Sequence, residues 1–177
     1  MAFDSSFSYF GECLTRLKTI LDGYAALNAY NEIVDIRKYR PDHLPDFKNY
    51  AVILSPESET ENNWGDNPDE GLVNGKHHVW NVHIVAIVRN YHPVNSLVGT
   101  TVGGVGVEGV GIIRHVSLIK DALRAKSLSG YLEVTKYELD GEIAFNTIQV
   151  PERNNFFHEV VIPWQGNGKF EVMPNVV

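Results

Sequence analysis

The stretch from Lys76 to His92 constrains this chain more than any other segment. Trp80, Val82, Ile84, Ala86 and Val88 fall on one side of a two-residue period, and Val79, Asn81, His83, Val85, Ile87 and Arg89 on the other. Side chains of a strand alternate between faces, so the pattern predicts a β-strand with one apolar face and one mixed face. That suits a central strand with a core side and a partly covered side. At ~3.3 Å per residue such a strand runs to more than about 50 Å, so it either bends or overhangs its own domain.

Helical periodicity brackets the strand. Phe10, Leu14, Leu17, Leu21 and Tyr24 make one stripe, widened by Cys13, Ile20 and Leu27, with Ser5 or Ser6 as the expected cap. Ile112, Val116, Ile119 and Leu123 make a second stripe within roughly Val110 to Lys126. Ile33 to Arg37 and Tyr50 to Leu54 read as short strands, the second stopped by Pro56. Leu132 to Leu139 and Glu142 to Val150 flank Asp140-Gly141, a strong hairpin signal. Phe156 to Ile162 reads as a further strand ended by Pro163 and Trp164, with a turn at Gln165 to Gly168. The expected class is α+β: a mostly antiparallel sheet packed against two principal helices, with two long loops, in one domain spanning residues 1–177.

The first of those loops is acidic. From Pro56 to Gly75 the chain carries Glu57, Glu59, Glu61, Asp66, Asp69 and Glu70 without one Lys or Arg. Turn formers fill the rest, and Trp64 is the one aromatic. The glutamates read as a solvated charge run, with no apolar neighbour to raise a carboxylate's pKa. The second loop, residues 93–109, is rich in Gly and Val and reads as mobile. Within it Gly104, Gly106 and Gly109 match the dinucleotide-binding fingerprint literally and a helix follows, but the preceding strand is poor.

Chemistry is otherwise absent from the pattern. No nucleophile elbow occurs, and the seven histidines show no metal-ligand spacing. Cys13 lies in a helical stripe as a small core residue. No cofactor is expected. A net charge of −7 argues against general nucleic-acid binding. No run approaches a membrane span, and the first residues lack the layout of a signal peptide.

The segments "HHVWNVHIVAIVRNY", "IIRHVSLIKDALRAKSLSGYL" and "LEVTKYELDGEIAFNTIQV", followed by "HEVVIPW", carry a resemblance of order and texture. Over roughly Phe10 to Trp164 the chain resembles tail terminator (tail completion, or neck) proteins of long-tailed bacteriophages. The resemblance implies a non-enzymatic virion protein, assembled in the host cytoplasm. It implies a ring, most often hexameric, that caps the tail tube, meets the head connector and passes DNA without binding it specifically. On that reading the six acids of residues 56–75 face the channel or its rim, and Trp64, Arg89, Arg114 and Trp164 are candidate subunit contacts. Another neck connector, or a small nucleotide-binding enzyme using the glycine loop, are the alternative expectations.

Overall fold

The alternating segment becomes a strand from Gly75 to Asn90 that is hydrogen-bonded on both sides along its whole length. A computed structural model describes residues 8–28, 33–41, 46–47, 49–64, 75–90, 97–101, 107–125, 134–138, 143–150 and 155–171. In chain order these form α1 (Tyr9–Gly23), α2 (Ala25–Asn28), β1 (Ile33–Ile36), β2 (Tyr50–Trp64), β3 (Gly75–Asn90), β4 (Gly99–Thr101), β5 (Val107–Val110), α3 (Ile112–Ala125), β6 (Val134–Glu138), β7 (Phe145–Val150) and β8 (Asn155–Glu171). The architecture is α+β. A mixed sheet in the order β1-β2-β3-β8-β6, with β7 also on β8, packs against helices, and β4-β5 form a separate two-stranded ladder.

Even-numbered residues of β3 face the helices. Trp80, Val82, Ile84, Ala86 and Val88 join Leu14, Leu17 and Leu21 of α1 and Ile112, Val116, Ile119 and Leu123 of α3 in one core. Ser8, rather than Ser5 or Ser6, caps α1: its Oγ accepts a 3.1 Å bond from the Gly11 amide. The opposite face has a second, smaller core of Phe47, Ala51, Ile53, Val85, Ile87 and Phe157. The connection between the parallel strands β1 and β2 supplies its cover, because parallel neighbours need a crossover of about a dozen residues. Tyr39 and Phe47 of that crossover lie against the sheet.

Several sequence expectations are corrected. β2 does not stop at Pro56 but continues to Trp64, paired throughout with β3. The acidic segment therefore begins as a strand, and only residues 65–74 lie outside the described residues. β8 runs through Pro163 and the expected Gln165–Gly168 turn to Glu171. Pro163 falls between two ladders, a place where its missing N–H is tolerated: among the described residues β7 pairs with β8 only as far as Val160, and β6 only from Gln165. Finally, β6 and β7 are not a hairpin. Both run antiparallel to β8 and follow one another along it, so they act as one interrupted edge strand. Asp140 and Gly141 fall in the interruption, outside the described residues.

Candidate functional site

Glu57, Glu59 and Glu61 alternate in sequence, so a regular strand would point all three to one face. A bulge prevents this. The register with β3 shifts between Pro56 and Ser58, leaving Glu57 as the extra residue. Beyond it Glu59 pairs with Trp80 and Glu61 with His78, on the helix side, whereas Ser58 and Thr60 take the other side.

Glu57 turns to the far side. Its carboxylate meets Lys38 Nζ, accepts a 2.8 Å bond from Ser55 Oγ and lies 3.4 Å from His83 Nδ1. Lys38 also donates to the Pro56 carbonyl at 3.2 Å, so one cation fixes both residues of the bulge. Partial burial pushes the Glu57 carboxyl up, but hydrogen bonds from Lys38 and Ser55 and the charges of His83 and Lys38 outweigh it and hold the group below its usual value. Glu59 Oε1 accepts from Trp80 Nε1 at 2.8 Å and lies 3.0 Å from His78 Nδ1. The His78 ring stacks on Trp80, with centroids 5.9 Å apart, and meets Tyr9 of α1 at a tilt, with centroids 5.8 Å apart. Glu61 pairs with Lys76 at 2.6 Å, and that bond holds its carboxyl low. These three glutamates are exposed, as a solvated run would be, and each is also held by a partner within the subunit. Lys38, Ser55, His78 and Trp80 were not legible as their partners, although the alternation of the glutamates is itself a strand signal.

Cys13 lies near this cluster. Burial, with the charge of Glu59 added, pushes its thiol up to about 12, which keeps it protonated and unreactive at neutral pH. On the far face Tyr39 Oη donates to Glu159, and burial together with that carboxylate raises the phenol. A row of neutral polar groups crosses three strands there: Gln165 Nε2 donates to Asn81 Oδ1 at 3.0 Å, and Asn81 Nδ2 to Ser58 Oγ at 2.8 Å.

The remaining expected residues separate by place. Asp66, Asp69 and Glu70 are outside the described residues, as is the side chain of Trp64. Trp164, expected at a subunit contact, is corrected to a core residue: it is 2% exposed, and its indole lies over Gly166, where a Cβ would come within 2.5 Å of the ring. Arg114 is exposed on the first turn of α3. Its neighbour His115 packs on Tyr50, which pairs with Val88, so Arg114 and Arg89 share one end of the sheet. The dinucleotide fingerprint lacks its setting. Gly109 belongs to β5 in an antiparallel ladder with β4, and the strand after α3 joins β8 rather than β5. Among the described residues no group of three His, Cys, Asp or Glu side chains gathers as a metal site, and no helix is long and apolar enough to cross a membrane. Neither any protein-family model nor any curated protein matches the chain.

Proposed function

We propose that this chain is a non-enzymatic structural subunit of the neck of a long-tailed phage, a tail terminator that closes into a ring, most often a hexamer, between tail tube and head connector. The observation that carries this reading is the triplet β2-β3-β8. Its strands are 15, 16 and 17 residues long and run together well past the far-face core. Beyond that core the far face is mostly neutral, presenting Ser58, Thr60, Asn62, Asn81 and Gln165, and the register adds Lys136 and Lys169 there, few cations for DNA phosphates to bind. Such a surface suits a wall past which DNA slides. A ring needs heterologous contacts that close by rotation, and its two sheet edges belong to short strands, β1 on one side and the broken β6/β7 line on the other.

The glutamates on β2 change one part of this reading. Glu57, Glu59 and Glu61 are exposed but tied to partners within the subunit, so of the six candidates for channel or rim charge Asp66, Asp69 and Glu70 are the ones that can be neutralised without breaking those contacts. Replacing those three with Asn, Asn and Gln tests the charge without disturbing the hairpin. A channel position predicts impaired DNA passage from intact particles; a rim position predicts normal passage. The whole assignment is tested by imaging particles of the virus that encodes the chain with an antibody against it. Label is expected at the head–tail junction, and particles lacking the chain are expected as separate heads and overlong tails. Label at neither the neck nor the tail end removes the proposal.

A further inference from the structure

Arg89 is set apart from the paired cations, and from Arg40, Arg114 and Lys120, which also meet no carboxylate among the described residues, by being held against two aromatic rings. Arg16, Lys18, Arg37, Lys38, Lys76 and Arg124 each meet a carboxylate of this chain. Arg89 meets none among the described residues. Its guanidinium carbon lies 4.6 Å from the centroid of Phe47 and 4.8 Å from that of Phe157, in the corner of an edge-on phenyl pair. Its Nε–H is buried without a hydrogen-bond partner, while the residue keeps partial exposure. Two rings at 69° to one another flank the guanidinium, and a buried unpaired N–H is unfavourable. The buried Nε–H is closed to an incoming group, so a bidentate grip on an oxyanion would come from the Nη groups of this half-exposed planar fork.

We propose that this corner is a docking point for a carboxylate of a second copy of the chain, supplied by its acidic segment between β2 and β3. Charge selects the occupant. The chain has 22 acids against 15 Lys and Arg, and Asp66, Asp69 and Glu70 fall in a stretch from residue 56 to 75 without a cation. Geometry decides that the contact is between copies. Fourteen residues of β3 separate Gly75 from Arg89, roughly 45–50 Å at strand rise. The segment 65–74 is tethered at both ends, at Trp64 and Gly75, so folding back it reaches at most about 17 Å. One copy cannot bring its own Asp66, Asp69 or Glu70 to its own Arg89. The cationic end of one hairpin therefore meets the acidic end of the next, a head-to-tail contact that closes into a ring or extends as a filament. The proposal concerns the contact alone and stands whatever assembly the copies build.

The test uses the full chain and a fluorescein-labelled synthetic peptide of residues 63–75, read by anisotropy. Saturable binding is expected at about 20 mM salt and is expected to weaken as salt rises through physiological strength. Arg89→Met should weaken it by at least about tenfold and Arg89→Lys by less, because lysine keeps the charge but loses the fork. A peptide with Asp66→Asn, Asp69→Asn and Glu70→Gln should fail to bind the unaltered protein, and this arm needs no variant of the protein to fold. The proposal is overturned by an absence of binding, by equal binding of the neutral peptide, or by unchanged binding to a folded Arg89→Met chain. It is equally overturned if short duplex DNA displaces the peptide and binds more tightly in an Arg89-dependent way, since the site would then serve phosphate.

Discussion

His115 carries its ring 5.5 Å from that of Tyr50, is 1% exposed, and has no hydrogen-bond partner on either ring nitrogen among the described residues. Burial alone lowers its pKa to about 4. The unfolded chain takes up this proton near pH 6.5, the folded chain only near 4, so the unfolded state binds more protons in between and stability falls as pH falls through that window. The expected loss is about 2 kcal/mol at pH 5. Urea midpoints at pH 7 and pH 5 measure it, and His115→Phe, which keeps the ring and removes the titration, should flatten the difference. The lowered carboxyls of Glu57 and Glu61 add losses in the same direction, but below their usual carboxylate range. Two glycines give opposite expectations. A Cβ on Gly111 would lie 2.3 Å from the Leu97 carbonyl and 2.4 Å from the Gly99 amide, both backbone atoms, so Gly111→Ala should cost about 1–3 kcal/mol. Gly23, at the end of α1, has open space around it, and Gly23→Ala should gain about 0.5–1 kcal/mol. Thermal melting of the two variants should move in opposite directions.

At the scale of elements the bulge in β2 is the decisive local feature. Pro56 pairs with Val82 and Ser58 with Asn81, which are consecutive on β3. Deleting Glu57 therefore leaves every other pair in register. The loss is the Lys38 and Ser55 contacts, about 1–2 kcal/mol. A deletion variant with unaltered near-UV circular dichroism and a modestly lower melting point is expected; collapse of the tertiary signal would show that register here depends on Glu57. This feature also marks where the sequence was opaque. β3 and the stripes of both long helices were legible because their apolar residues repeat at the period of the structure they form. The outer half of β2 is Ser58, Glu59, Thr60, Glu61, Asn62 and Asn63, with no apolar face to announce it; its ladder partner on β3 makes it a strand. The Gln165–Gly168 stretch of β8 reads as a turn by composition, yet Gly166 is there because the Trp164 indole covers it. Asp140-Gly141 misled for a related reason, since a turn signal reports a local preference while β8 holds both flanking strands in line. Of the candidate site, the acids were legible, but the cations and rings that engage them come from residues 15 or more positions away.

Over the whole molecule the pattern of pairing argues for one cooperative unit. β3 from the first half of the chain is enclosed between β2 and β8, and its pairs with β8 join residues such as Ile84 and Ile162. The helix-side core takes residues from α1, β1, β2, β3, α3 and β8 together. No subset of these can bury the even face of β3 on its own. Removing everything after Ala125 would strip β3 of one ladder along its length and take Val160, Ile162 and Trp164 from the core, exposing a long apolar edge of the kind that drives aggregation. A chain of residues 1–125 is therefore expected to be insoluble or to lack a melting transition, whereas the full chain should unfold in a single transition with fluorescence and far-UV dichroism coincident. Folding should be slow for the size, because pairs so far apart in sequence form only after the intervening chain is closed. Stopped-flow refolding in milliseconds to seconds fits that topology. A soluble 1–125 fragment with a cooperative transition of its own would mean that the first half folds independently and that β8 joins a finished domain.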